Sequence, residues 1–473
     1  MRLHPTRYVC ALLCLCSLAL AAEASDPFGT EAALPLKPAL RLGGAVGDPC
    51  AAAMPDGALN LLEVVNLALC NNPQTREVWA SAQAQAAQVG VSKAGYLPSA
   101  SLSASGNRTS PGTGQRSYGL TLSYLLYDFG TRAAGVESAR QLLAAASATQ
   151  DSTVQAVFLL AVQSFYQTQA TQAALDAALE SERAAKESFA AAEARYRSGS
   201  ATPADKLQAQ TAYSQATLNS ITASGNMNNT KGVLANMLGL DANKNVALAA
   251  TSTAAIPANF DRDIAALIDE ARLRRPDLQA AAAQVKAAEA GVDAARAAGK
   301  PSISMTAATN QTSAAGITSH GSSVGLNLNV PLFAGYAPTY RIRAAEAQVE
   351  TQKAQLERLR LQVALDVWTA YQNLTTASQS LRTTADLLNS AEQSERVALG
   401  RYKAGVGSIL DVLNAQSALA SARQQRIQST FNWNINRASL AQAMGNLDTG
   451  LLQDLSGGSQ PPGAGFQQGE NQP

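Results

Sequence analysis

The residues best equipped for chemistry in this chain occur twice. Arg195 to Ala216 reads RYRSGSATPADKLQAQTAYSQA, and Arg401 to Ala422 reads RYKAGVGSILDVLNAQSALASA. Arg, Tyr, Gly, Asp, Leu, Ala and Gln recur at shared offsets. Each copy sets a hydroxyl residue three positions before an acid, Thr202 before Asp205 and Ser408 before Asp411. That spacing fits a capping box, in which hydroxyl and carboxylate each accept an amide hydrogen bond at a helix start. Pro203 suits the first helical position, and such a cap stabilises a helix by about 1 kcal/mol. Catalytic chemistry has few candidates elsewhere. The chain holds two histidines, His4 and His320, which argues against His-based triads and multi-His metal sites. It has no G-x-x-x-x-G-K-[ST] phosphate loop. The reading is therefore of a non-enzyme without cofactor or metal.

The elements around the paired stretches are also duplicated. Pro73 and Pro276 punctuate equivalent helices, Pro98-Ser99 matches Pro301-Ser302, and Leu126-Tyr127-Asp128-Phe129-Gly130 meets Leu332-Phe333-Ala334-Gly335-Tyr336. The period is far longer than that of solenoid repeats, so this is one tandem duplication. A first repeat spans residues 59–240 and a second 260–447, joined by a linker at 241–259. Residues 25–58 form an N-terminal extension and 448–473 a Gly/Pro/Gln-rich flexible tail. Within each repeat the period switches. Ala100, Leu102 and Ala104 alternate with serines, as do Tyr118, Leu120, Leu122 and Tyr124 with Gly119, Thr121 and Ser123. Alternation of this kind predicts β-hairpins over about 98–127 and 301–333, with His320 in the second hairpin turn. Elsewhere the period is helical: Leu356, Leu359, Val363, Val367, Tyr371 and Leu374 recur every three or four residues. Uninterrupted runs from Thr131 and from Pro338 predict helices roughly 100 Å long. Each reverses at a glycine-containing tip, completing long helical hairpins over 131–239 and 338–445.

Composition bounds the setting. Aromatic residues make up 5% and charged residues 15%, while net charge is +1, which gives no electrostatic case for nucleic acid. Small side chains let helix axes approach closely, so an Ala-rich chain can pack as long side-by-side helices. Arg2, His4 and Arg7 precede an apolar run ending at an Ala22-Glu23-Ala24 cleavage signal, which predicts a signal peptide at residues 1–24. Leucine precedes both Cys14 and Cys16, which argues against lipidation. Two cysteines, Cys50 and Cys70, then remain to form one disulfide or to stay as buried thiols. No later segment has the length of apolar residues that a transmembrane helix needs. The hairpin strands, with one apolar and one polar face and aromatics at their ends, match transmembrane β-barrel strands. Four strands cannot close a barrel, and lipid does not tolerate open edges, so several copies must share one.

On the duplicated helix–hairpin–long-helix order, the Leu126–Gly130 and Leu332–Gly335 junctions and the R-Y-x-x-G…D-x-L tips, the chain resembles the TolC family of outer-membrane efflux and secretion channels. The resemblance implies a mainly α protomer with a β-barrel portion. Three copies would then form a long antiparallel α-helical barrel and a twelve-stranded outer-membrane barrel. It implies a homotrimer in outer-membrane lipid, extending into the periplasm. There its tips would meet a periplasmic adaptor (a membrane fusion protein) bound to an inner-membrane ABC or proton-driven transporter. Family members carry an acidic residue at the position of Asp411, facing the closed aperture. A second aspartate falls where this chain has Asn414, and a gating arginine where it has Gly407. Tyr402 matches the family's tip tyrosine, and Asp205 is the first-repeat counterpart of Asp411. Arg197, Ser198, Gly199, Lys403, Ala404, Gly405 and Val406 would be the adaptor contacts. Many multidrug-efflux members are lipoproteins. The unlipidated reading therefore favours a type I secretion duct exporting a protein such as an RTX-type toxin, as in the CyaE-like toxin-secretion branch. The alternatives are a multidrug or small-molecule efflux component and a non-conducting coiled-coil surface adhesin.

Overall fold

The computed structural model describes residues 26–34, 57–108, 114–249 and 263–447. Cys50, residues 1–24 and residues 448–473 lie outside them, as do parts of the extension and the linker. Among the described residues the elements follow in the order α1 (Leu61–Asn71), α2 (Pro73–Ala94), β1 (Ser99–Arg108), β2 (Gly114–Tyr127), α3 (Thr131–Arg197) and α4 (Pro203–Met237). The second repeat supplies α5 (Ile264–Arg274), α6 (Pro276–Ala297), β3 (Ser302–Ala314), β4 (Ile317–Asn329), α7 (Ala337–Lys403) and α8 (Ile409–Ala443). The fold is thus mainly helical with one antiparallel sheet. Two compact units emerge, one holding Ala80–Ala148 and Gln279–Leu356, the other Thr149–Leu278 and Glu357 onward, each with an N-terminal piece.

The first unit contains the sheet, in the order β1-β2-β3-β4. Residues directly opposite on neighbouring strands share a face. Ala100 pairs with Leu122, Leu122 with Ala307 and Ala307 with Val324, giving an apolar row across four strands. The neighbouring row, Ser101–Thr121–Ala308–Ser323, lies on the opposite face, which is dominated by small and hydroxyl-bearing residues. A register shift between Leu125 and Tyr127 sets Tyr127 opposite Ile303, on the apolar face. His320 is not in a turn. It lies within β4 opposite Gln311, and the reversal is the two-residue loop Ala315–Gly316, with φ of 52° and 80°. Two positive φ values fit a primed hairpin turn.

The passage from sheet to helix is clamped by one carboxylate. Asp128 accepts hydrogen bonds from the Arg132 amide (2.9 Å), the Arg132 guanidinium (3.0 Å) and the Gly130 amide (3.3 Å). Burial pushes the Asp128 carboxyl up, but these donors and the Arg132 charge outweigh it and hold it below its ordinary value. Arg132 also donates to the Gly95 carbonyl at 3.1 Å and stacks over Tyr96. The end of α2, the end of β2 and the start of α3 therefore share one cation.

The second unit has the larger core. Val64, Val65 and Ala68 of α1 pack with Phe158, Ala161, Phe165 and Tyr166 of α3, Leu234 of α4 and its C-cap Leu238, and Ala438 and Ala441 of α8. An Asn60–Glu63 capping box starts α1. Leu59 bridges in parallel to Leu248, with its amide donating to the Ala247 carbonyl at 2.8 Å, so part of the segment between the repeats adds a short extended pairing. In α7 the helical seam is real: Val363, Val367 and Leu374 are buried. Arg275, between α5 and α6, pairs with Asp277 (2.6 Å) and with Asp366 of α7 (3.0 Å). Cys70 is disulfide-bonded, while Cys50, its expected partner, is outside the described residues.

Candidate functional site

The two helical reversals are built alike and joined to each other. The first ends α3 in a Schellman motif: the Ser200 amide donates to the Arg195 carbonyl (2.9 Å) and the Gly199 amide to the Tyr196 carbonyl (3.0 Å). The second ends α7 in the same way, from Val406 to Arg401 (3.0 Å) and from Gly405 to Tyr402 (3.1 Å). Gly199 and Gly405 have φ of 74° and 79°, a region where a side chain would strain the backbone. Arg197, Ser198 and Gly199, with Lys403, Ala404, Gly405 and Val406, are all exposed on these tips. Val406, at 71% exposure, presents an apolar side chain outward.

Each next helix begins in a capping box. The Thr202 amide (2.9 Å) and hydroxyl (2.8 Å) donate to the Asp205 carboxylate, while the Asp205 amide donates to the Thr202 hydroxyl at 3.3 Å. The Thr202 amide, then its hydroxyl, hold the Asp205 carboxyl below its ordinary value. In α8 the Ser408 amide donates to Asp411 at 3.3 Å and the Leu410 amide to the Ser408 hydroxyl at 3.1 Å. Asp411 also lines an open groove between α7 and α8, together with Asn414, Arg401, Gln393 and Ser394. Asp411 and Asn414, one turn apart, thus share a polar surface.

Tyr402 does not line that groove. It is 6% exposed, within a cluster formed by Phe189 and Ala192 of α3, Ala209 of α4, Leu399 of α7, and Ile409 and Val412 of α8. Arg195 covers it: the guanidinium lies 4.1 Å from the Tyr402 ring centroid and donates to the Tyr402 carbonyl at 2.6 Å. The duplicated Arg-Tyr pair is therefore used unequally. Arg195 locks the second repeat's tip, whereas Arg401 opens onto the groove. Gly407 has a structural cause too. A Cβ there would lie 3.0 Å from the Arg401 Cβ and the Tyr402 amide, so a side chain at 407 would require this turn to give by a few tenths of an ångström.

Sequence reasoning passed over the residues that tie the tips together. Glu193 pairs with Arg197 (2.9 Å) and Lys206 (3.2 Å), linking α3 to α4. Lys206, then Arg197, lower the Glu193 carboxyl from its ordinary value. Ser188 of α3 and Gln416 of α8 exchange hydrogen bonds at 3.0 and 3.3 Å. The repeated Arg of the RY motif was the signal that could have pointed to Arg195; nothing local marks Glu193 or Ser188. No described group of His, Cys, Asp or Glu is placed to hold a metal.

Comparison with known proteins follows the same outline. A family model described as outer membrane efflux protein matches residues 64–240 and 267–446. The chain is similar to Protein CyaE of Bordetella pertussis, 34% identical over 402 residues, which covers 82% of this chain and 84% of the other. It is 27% identical over 413 residues to the probable efflux pump outer membrane protein TtgC of Pseudomonas putida, covering 81% and 82%. Among solved structures it resembles the Campylobacter jejuni CmeC outer membrane channel, with TM-score 0.74, 20% identity, and coverage of 82% and 85%.

Two outcomes test the tip geometry. Arg195→Gln should lower stability by about 2 kcal/mol, the scale of a charge-assisted hydrogen bond, and speed amide exchange around Tyr402. Arg401→Gln should do neither, and equal effects would refute the unequal use of the motif. The depressed Asp205 carboxyl stabilises the α4 start above the unfolded carboxylate value, and that contribution is lost as pH falls through the lower folded value. Hydrogen exchange of residues 203–206 should accelerate across that acidic window. Asp205→Asn should exchange fast already at neutral pH, and an Asp205→Asn profile matching wild type would contradict the cap.

Proposed function

The chain belongs to the outer membrane efflux protein family, and on that premise we propose that this outer-membrane channel serves as the exit duct of a type I protein secretion system. The observation that carries the finer reading is the 34% identity to Protein CyaE, against 27% to a protein named for an efflux pump, over similar lengths. In this reading three chains pair edge to edge, β4 of one with β1 of the next, into a twelve-stranded barrel. The sheet supports it: its apolar face exposes Leu120, Val324, Leu326 and Leu328, and among the described residues neither outer strand has a further strand paired to it. A lipid environment requires the apolar face, and it requires neighbouring copies to supply the missing pairing.

The helical tips form the periplasmic end of the duct. Asp411 and Asn414, on the α7–α8 groove, are the residues we assign to the aperture. One carboxylate and one amide per chain make a less charged ring than two carboxylates. Tyr402 and Gly407 act behind them by packing rather than by lining, and Asp205 acts as a cap. The exposed tip residues Arg197 to Gly199 and Lys403 to Val406 are assigned to a periplasmic adaptor, which couples the duct to an energised inner-membrane transporter, of the ABC type for protein cargo. The second reading, a small-molecule efflux component, is favoured by the named efflux-pump relatives.

Deletion of the gene, with secreted protein and drug sensitivity measured in parallel, separates the two. Loss of one or more secreted proteins at unchanged drug sensitivity is expected; unchanged secretion with heightened sensitivity would replace this reading with the second. Gly405→Asp should weaken cross-linking to the adaptor without dissociating the trimer.

A further inference from the structure

The four strands carry no aspartate or glutamate, and their only groups able to bear positive charge are Arg108, Arg116 and His320. The pairing register puts all three on one face. Arg116 is two residues from Tyr118, and Tyr118 pairs with Gln311, which pairs with His320. Arg108 is an even number of residues from Leu102 and Ala104, the pair partners of Leu120 and Tyr118. Strand alternation therefore directs Arg108, Arg116 and His320 to the apolar face, away from the serine-rich one. They also share one end, next to the hairpin reversals and opposite the end where the helices join. Glycines stand across from both arginines in the first hairpin, Gly114 opposite Arg108 and Gly106 opposite Arg116, and on its other side Arg116 faces only the small hydroxyl side chain of Ser313. Both arginines are exposed.

The same face is uneven in height. In the first hairpin the apolar rows continue through Leu102–Leu120 to Ala104–Tyr118. In the second they stop at Ala307–Val324, and the next rows are Thr309–Ser322 and Gln311–His320. At the level where β1 and β2 present leucine and tyrosine, β3 and β4 present hydroxyls, an amide and an imidazole. Thr309 and Ser322 are satisfied in part, Ser322 donating to the Thr309 hydroxyl at 3.2 Å and Thr309 to the Gly321 carbonyl at 3.3 Å. Hydrocarbon would leave their remaining capacity, and that of Gln311 and His320, unmet at a cost of kcal/mol each. A headgroup that reaches down beside the second hairpin supplies partners for it.

We propose that this face binds the phosphorylated sugar headgroup of a glycolipid in the outer leaflet. Arg108 and Arg116 take the phosphate, and Thr309, Gln311, Ser322 and His320 take the sugar. Guanidinium groups match phosphate oxygens bidentately. Arg108 and Arg116 occupy diagonal positions on adjacent strands, about 7–8 Å apart at the backbone, close enough to converge on one phosphate. The proposal rests on the reading of the sheet as part of a lipid-embedded barrel whose hairpins face outward.

The test uses the full chain in phosphatidylethanolamine vesicles containing bis-phosphorylated lipid A, enzymatically dephosphorylated lipid A, or phosphatidylglycerol. Vesicle flotation is scored first. The protein is then re-extracted in detergent and its retained lipid quantified by mass spectrometry. Wild type should retain phosphorylated lipid A about tenfold more than R108Q/R116Q does, a loss of roughly 1.4 kcal/mol from two surface cations. It should discriminate equally against the dephosphorylated form, a comparison that does not depend on the variant folding. Equal retention of the two lipid A forms, or of phosphatidylglycerol and lipid A, by protein that floats would overturn the glycolipid site while leaving the barrel reading standing. Wild-type protein that does not float would overturn both.

Discussion

Everything in this protomer answers to one constraint: a four-stranded sheet has two edges, and a bilayer has no water to satisfy them. Each outer strand presents a row of amides and carbonyls that β2 and β3 cannot reach. Burying those groups without partners costs several kcal/mol each. The chain cannot curl its own sheet shut, since four strands leave no lumen. Assembly with further copies is therefore a condition of insertion and not a later elaboration. The apolar row Ala100–Leu122–Ala307–Val324 and the polar row beside it make sense only in such a closed wall, with lipid on one side and water on the other.

Duplication also shapes the helical reversals, one in each repeat. The two reversals use the same Schellman turns and the same hydroxyl–carboxylate caps. Identity of the backbone did not keep the side chains equivalent. Arg195 crosses to the second repeat and fixes Tyr402, while Arg401 is left facing the groove with Asp411 and Asn414. One copy of the motif holds the tip and the other opens onto the groove. Gly407 sits where this turn closes against its own Arg401–Tyr402 segment.

Local pattern carried much of this into the sequence. Alternating residues marked the strands, a three- and four-residue spacing marked the buried seam of α7, and two capping boxes marked the helix restarts. What the sequence hid depended on contacts between distant segments or on weak local signals. Tyr402 reads as a candidate for the aperture until Arg195 and Val412 are seen to enclose it. His320 looks like a loop residue because a barrel strand with polar residues on both faces near its rim resembles a loop. Its true turn, Ala315–Gly316, lacks the Asn-Gly signature. Glu193 reached Lys206 only across the reversal.

Amide hydrogen exchange of the sheet in protein reconstituted into lipid bears most directly on the edge constraint. In an edge strand every second amide points away from its one partner. With the edges paired to neighbouring copies, those amides of β1 and β4 exchange as slowly as the amides of β2 and β3. Fast exchange confined to the outward amides of β1 and β4 would mean that the edges stay open, and the account of this protein as one third of a closed barrel would fail.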